Sequence, residues 1–268
     1  MPDLQTRATE IRRIAVSLIH GAGSGHPGSS LSAADLLAAL YFGELRPGVD
    51  KFVLSKGHAC PALYAALHLR GEFDRAALGS FRRLGGLLQG SPTTTIPGID
   101  ATCGSLGQGF SIALGLALGL PASRVFVMLG DGELQEGEVW EAAMAAAHYG
   151  LGNLCAIVDY NKMQSDDLNA RIMAIEPLDA KWRAFNWRVE VIDGHDFGQI
   201  AAAFAAARAT PGRPTVIIAN TIKGKGVSYM EGIPSWHGSV KLKPEEIRQA
   251  LADLGVPPER QPEYAFHV

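Results

Sequence analysis

Asp131 stands between two glycines, and Asn161 follows thirty positions later. A carboxylate and an amide oxygen, with backbone carbonyls close by, are hard donors. They suit a divalent cation that also holds phosphate oxygens. The glycines around Asp131 let the backbone turn sharply and come close to a ligand. Three histidines add proton chemistry, because imidazole gives and takes protons near neutrality. His26 sits in Gly25-His26-Pro27-Gly28, His58 closes Ser55-Lys56-Gly57-His58, and His237 sits in Ser235-Trp236-His237-Gly238. Each taken alone has a plain reading: a solvated loop histidine, a helix-capping histidine, a surface histidine beside a packed tryptophan.

The surrounding pattern brings Asp131 and Asn161 together. Residues 124–129 (RVFVML) and 154–158 (LCAIV) are short apolar runs with β-branched members, which read as buried parallel strands. Residues 133–149 carry Ala, Met, Trp and Glu at helical spacing. Two parallel strands joined by a helix put Asp131 and Asn161 at neighbouring carboxyl ends, where open α/β sheets bind ligands. Further strands are predicted at 51–54, 188–192 and 214–219. Helices are predicted at 4–20, 31–42 (capped by Ser29 or Ser30), 60–69, 104–120 (small and apolar, hence buried), 178–185, 200–208 with Asp196 as cap, and 245–254. Residues 162–170 read as a polar loop. Strands alternating with helices predict an α/β fold with a doubly wound, mostly parallel sheet flanked by helices. The expected organisation is a single domain over 1–268, with 220–268 as a loop and short helix extension.

Composition narrows the function classes. The chain has 268 residues, 47% apolar and 19% charged, with net charge −3. That slight acidity gives no reason to expect nucleic acid or an anionic membrane as partner. The first residues lack the basic and apolar stretches of a secretory signal. The longest apolar run is broken by glycines and too short to span a bilayer. Cys60, Cys103 and Cys155 are widely spaced and read as reduced packing residues of a cytoplasmic protein.

The spacing from Gly130-Asp131-Gly132 to Asn161 resembles the thiamine diphosphate signature. Other blocks narrow the resemblance to the transketolase family. They are SGHPGSSLSAADLLAALYF (24–42), FVLSKGHACPALYAAL (52–67), PGIDATCGSLGQGFSIALGLALG (97–119), GDGELQEGEVWEAA (130–143), IVDYNKMQSD (157–166), and IKGKGVSYMEG followed by WHG (222–238). A lone Gly-Asp-Gly is a weak signal, whereas six blocks in order over almost the whole chain are a strong one.

That resemblance implies the thiamine diphosphate-binding fold of the diphosphate (PP) type. The activity it implies is transfer of a two-carbon ketol unit from a ketose donor to an aldehyde acceptor. The implied cofactors are thiamine diphosphate and Mg²⁺, with Ca²⁺ able to replace the latter. By the same resemblance, Asp131, Asn161 and the Met163 carbonyl are metal ligands. His26, His58 and His237 are catalytic, and His58 and His237 also touch the diphosphate. Gly104, Ser105 and Leu106 line the aminopyrimidine, and Gly130, Gly132 and Glu133 flank the phosphates. His26 and His237 meet the substrate, and Glu136 and Glu141 lie at an interface between chains. A full transketolase carries pyrimidine-binding and C-terminal domains that have no counterpart in these blocks. The chain therefore resembles the N-terminal subunit of a split enzyme, partnered by a separate C-terminal subunit with two copies of each. One position departs from the family: Gly90-Ser91-Pro92 stands where Gly-His-Pro is usual. Serine is shorter and carries no positive charge, so altered donor or acceptor preference is expected at Ser91. Three other readings stay open on residues alone. They are a carboligase with a non-sugar acceptor, the α subunit of a 2-oxo acid dehydrogenase, and a non-catalytic regulatory subunit.

Overall fold

The computed structural model describes residues 3–165 and 167–266. Met1, Pro2, Asp166, His267 and Val268, which the single-domain reading includes, lie outside them.

Helix α1 (Leu4–Ala22) opens where the Asp3 carboxylate accepts the Gln5 N–H, and it closes on Gly23 at φ 68°. Helices α2 (Pro27–Ser32) and α3 (Ala34–Ala39) lead to strand β1 (Lys51–Leu54). Next come α4 (Cys60–Leu69), α5 (Arg75–Leu78), α6 (Gln108–Gly119), β2 (Val125–Gly130), α7 (Gly137–His148) and β3 (Leu154–Tyr160). A two-stranded antiparallel hairpin, β4 (Met163–Gln164) with β5 (Asp167–Leu168), precedes the short α8 (Asn169–Ile172). The chain continues through α9 (Leu178–Ala184), β6 (Arg188–Asp193), α10 (Phe197–Arg208), β7 (Thr215–Asn220) and α11 (Pro244–Asp253).

The five long strands form one sheet in the order β1-β2-β3-β7-β6, with every pairing parallel. Strand side chains alternate between two cores. Phe126, Met128, Cys155, Ile157 and Ile217 face the core built with α1, α3, α4 and α10. Val125, Val127, Leu129, Ala156, Val158 and Val216 face the core built with α6, α7 and Trp182 of α9. A sheet covered on both faces explains why its strands read as continuous apolar runs. The α/β expectation holds, and all three cysteines are free and buried.

Several local expectations need correction. The second helix starts at Pro27 rather than 31, with His26 and not Ser29 or Ser30 at its N-cap position. Proline at the first helical position moves the start forward. The segment after Asp131 is a short 3₁₀ turn (Gly132–Gln135), then α7, broken at the extended Glu136. Helix α6 starts at Gln108 and is buried only through Gly109, Phe110, Ala113 and Ala117. Leu118 on its outer side is 45% exposed. One face packs on the sheet, and a helix apolar all round gives no periodicity to say so. The polar loop after Asn161 contains the β4–β5 hairpin and α8. Past Asn220, 3₁₀ turns at Pro234–Trp236 and Pro258–Tyr264 flank α11. No helix among the described residues is long and apolar enough to cross a membrane.

Candidate functional site

Gly130 pairs with Asp159 across β2 and β3, so Asp131 and Asn161 leave adjacent strand tips. Asp131 Oδ1 accepts the Gly132 N–H at 2.8 Å, and Oδ2 accepts the Lys162 N–H at 2.5 Å. Asn161 Oδ1 accepts the Met163 N–H at 3.2 Å. Lys162 holds φ at 69° and Ser165 at 42°, so the turn after Asn161 carries backbone strain. Gly132 permits the closeness of the two loops, since a Cβ there would lie 2.7 Å from Gln164 Cβ.

Asp131 is 2% exposed. Burial, then repulsion from Asp159, raises its pKa to about 7. A desolvated carboxylate beside an amide oxygen and a backbone carbonyl is a set of hard oxygen donors. No group of three or more His, Cys, Asp or Glu able to hold a metal occurs among the described residues. An ion here therefore needs amide, carbonyl and ligand oxygens as well, which suits a hard, oxygen-loving ion rather than zinc.

Above these tips the three histidines converge. Ring centroids lie 5.1 Å apart for His26 and His58, 5.7 Å for His26 and His237, and 5.5 Å for His58 and His237. Glycines make the meeting possible: a Cβ on Gly238 would sit 2.1 Å from His26 Cδ2, and one on Gly28 would sit 2.8 Å from the Trp236 carbonyl oxygen. His58 Nε2 lies 3.2 Å from Ser29 Oγ. His26 Nδ1 is buried without a hydrogen-bond partner among the described residues. Burial, then the cations Arg82, Lys223 and Lys56, lowers the His26 pKa to about 4. Burial, with Lys223 next, lowers that of His237 to about 3. Burial followed by Lys56 holds His58 well below its ordinary value. At neutral pH all three rings are uncharged, each able to accept one proton and donate another.

The cleft has a volume of about 420 Å³, within the size range of small-molecule sites. Of the residues anticipated from sequence, His26, His58, Gly104, Leu106, Gly130, Asp131, Gly132, Glu133, Glu136, Asn161, Met163 and His237 line it. Ser105, Ser91 and Glu141 do not. Ser105 and Glu141 are exposed, and Ser91 Oγ lies behind Gly104, at 3.8 Å from where a Cβ would stand. Glu133 is already engaged: its carboxylate accepts from Ser55 Oγ at 2.5 Å, Gly107 N at 2.8 Å and Gly130 N at 2.9 Å. It ties three loops of the rim together.

Sequence reasoning missed Ser29, Lys56, Gln135, Gln164 and Ser165 at the cleft wall. It also missed Asp159 and Lys223. Lys56 and Asp159 form an ion pair that is 1% and 0% exposed. Ser32 Oγ donates to Asp159 at 2.6 Å, and the Thr221 hydroxyl donates to it as well. Lys223 Nζ donates to His237 Nδ1 at 2.6 Å and, more weakly, to the Met163 carbonyl at 3.4 Å. The available signal was position: Lys56 lies two residues past the end of β1, and Asp159 interrupts an apolar strand at its carboxyl end. The unpartnered His26 nitrogen, the buried carboxylate beside an amide oxygen and the glycine-lined walls together fit a phosphate-bearing cofactor held through a metal.

Residues 4–267 match the transketolase thiamine diphosphate-binding domain family. The chain is 44% identical over 265 residues to a 6-deoxy-6-sulfo-D-fructose transketolase subunit of Clostridium sp. (strain MSTE9), covering 94% of this chain and 96% of that one. It is 37% identical over 263 residues to an apulose-4-phosphate transketolase subunit of Phocaeicola vulgatus, covering 94% and 93%. The solved transketolase from Leishmania mexicana superposes with a TM-score of 0.90 at 30% identity, over 100% of this chain and 44% of that one. The chain thus spans under half the length of that solved transketolase, but nearly all of the two subunits. The chain belongs to the transketolase family and carries its thiamine diphosphate-binding domain.

Proposed function

We propose that this chain is the diphosphate-binding subunit of a two-chain transketolase that moves a two-carbon ketol unit from a ketose to an aldehyde. The single observation that carries this reading is the convergence of three neutral imidazoles over the paired tips bearing Asp131 and Asn161. Thiamine diphosphate, when bound, supplies the electron sink for breaking and making the carbon–carbon bond. Asp131, Asn161 and the Met163 carbonyl would hold Mg²⁺ or Ca²⁺ against the diphosphate. The Gly132 N–H would face a phosphate oxygen. Gly104, Ser105 and Leu106 would border the aminopyrimidine, and Glu136 with Glu141 would meet another chain. His26, His58 and His237 would steady the developing oxyanion and pass protons at the substrate carbonyl.

Likeness to proteins named as transketolase subunits supports a separate C-terminal partner, and the family pattern supports two copies of each chain. The buried thiols fit a cytoplasmic setting. Ser91 supports a donor other than the common ketose phosphates. The names of the two relatives point to ketoses with an anionic end group, a sulfonate or a phosphate.

The test is reconstitution with a transketolase C-terminal chain encoded nearby, followed by ketol transfer assays on sulfonated and phosphorylated ketoses. Thiamine-dependent transfer that is lost in His26→Ala and His237→Ala is the expected result. A reconstituted, cofactor-loaded pair that turns over no ketose would sink the proposal. A rate on xylulose 5-phosphate and ribose 5-phosphate typical of enzymes with the usual histidine would remove the inference drawn from Ser91.

A further inference from the structure

His195 lies outside the cleft, in the turn between β6 and α10, and both of its ring nitrogens are engaged. Nδ1 lies 2.6 Å from Asp35 Oδ2 on α3. Nε2 accepts the Ile222 N–H at 2.9 Å. A backbone amide only donates, so Nε2 carries the lone pair and Nδ1 carries the proton given to Asp35. Asp35 is itself gripped by both arms of Arg12 from α1, and this pair is 3% and 5% exposed. A continuous run of bonds therefore reaches from α1, through α3 and the β6–α10 turn, to the second residue past β7.

That residue precedes Lys223. The loop it opens has little room to adjust. Thr221 is bound to Asp159, the Gly224 N–H donates to the Gly28 carbonyl at 3.1 Å, and a Cβ on Gly224 would lie 2.4 Å from the Met230 carbonyl oxygen. A shift at Ile222 is thus passed on to Lys223. The Lys223 ammonium has donors only, so His237 Nδ1 must accept from it. The His237 proton then resides on Nε2.

We infer that the run Arg12–Asp35–His195–Ile222 is a positioning device that seats Lys223 against His237 and so fixes His237 as the Nε2–H tautomer. His195 is a positioning residue: it touches neither the cleft wall nor the reacting atoms. Deletion of such an outer partner acts through the orientation of the group it supports. The kinetic consequence rests on the reading of His237 given above, whereas the tautomer does not.

The test is long-range ¹⁵N–¹H spectroscopy of the imidazoles in the full chain at neutral pH. The expected spectrum shows His195 as Nδ1–H and His237 as Nε2–H. In His195→Phe, His237 is expected to become a mixture of tautomers. In His195→Gln, whose amide can give one hydrogen bond and take another, Nε2–H is expected to return. In the reconstituted enzyme, His195→Phe is expected to lower kcat about tenfold or more with the donor KM nearly unchanged, and His195→Gln to recover most of it. His237 found as Nδ1–H in the wild type, or unchanged in a folded His195→Phe, overturns the inference. Should His195→Phe not fold, Lys223→Met decides the matter, since an unaltered His237 tautomer there is equally fatal. A reconstituted pair without ketol transfer would remove the functional reading and leave the tautomer result standing.

Discussion

The two ends of the central sheet treat polar groups in opposite ways. At the amino end, charges pair close to water. Lys51 meets Asp100 at 2.9 Å with side chains 30% and 24% exposed, and the buried Asp50 is reached from solvent by the half-exposed Arg46. At the carboxyl end, Lys56, Asp131, Glu133, Asp159, Asn161 and Lys223 are all buried. There Asp159 pushes against Asp131, and three imidazoles crowd one another without charge. Isolated surface pairs contribute little to stability, and buried charges cost much unless fully partnered. One end of the sheet is thus built for folding alone. The other accepts polar strain that a cation and a phosphate would relieve, as functional sites commonly do.

The largest contrast should appear when one buried charge is deleted. Lys56→Met leaves Asp159 buried without its cation, and it is expected to cost about 3–5 kcal/mol in urea unfolding. A loss below that of an ordinary surface change would mean that the carboxyl-end network does not carry the energy assigned to it. Next comes the cation site. Asp131→Ala is expected to weaken Mg²⁺-dependent thiamine diphosphate binding by about 100-fold or more, while leaving the fold intact by circular dichroism.

The pH response is third in size. The folded values of His26 and His237, about 4 and about 3, lie below the ordinary 6.5. Below pH 6.5 the unfolded chain therefore binds more protons at these two positions, and their contribution to stability falls as the pH drops, opposed by Asp131, whose raised value favours the folded state as the pH falls through about 7. The imidazole contribution is full above about pH 6.5. Between neutrality and pH 5 the urea midpoint of the wild type should fall relative to that of His26→Asn, which lacks one of the two imidazole contributions. Parallel curves for the two proteins would contradict neutral, buried imidazoles. The smallest effect belongs to the amino end, where Lys51→Met is expected to shift stability by about 1 kcal/mol or less. A shift as large as that of Lys56→Met would erase the distinction between the two ends.

Much of the carboxyl end was legible in the sequence. Parallel strands buried on both faces read as apolar runs, so the tips bearing Asp131 and Asn161 followed from pattern alone. The meeting of His26, His58 and His237 did not. These residues lie far apart along the chain, and only the family resemblance placed them together. Lys56, Asp159, Lys223 and His195 were invisible for a related reason. A single charged or imidazole side chain looks the same whether it faces water or a buried partner, and the partner here always sits on another element. Helix α6 shows the opposite limit. Its small apolar residues fit a buried helix and a half-exposed one equally well.

The most direct test of the central claim is calorimetric. Thiamine diphosphate is titrated into the chain reconstituted with its C-terminal partner, once with Mg²⁺ and once with the metal chelated. Binding that appears with the ion and vanishes without it is the predicted result. Equal heats under both conditions would mean that Asp131 and Asn161 do not hold a cation against the diphosphate, and the account given for this site would be wrong.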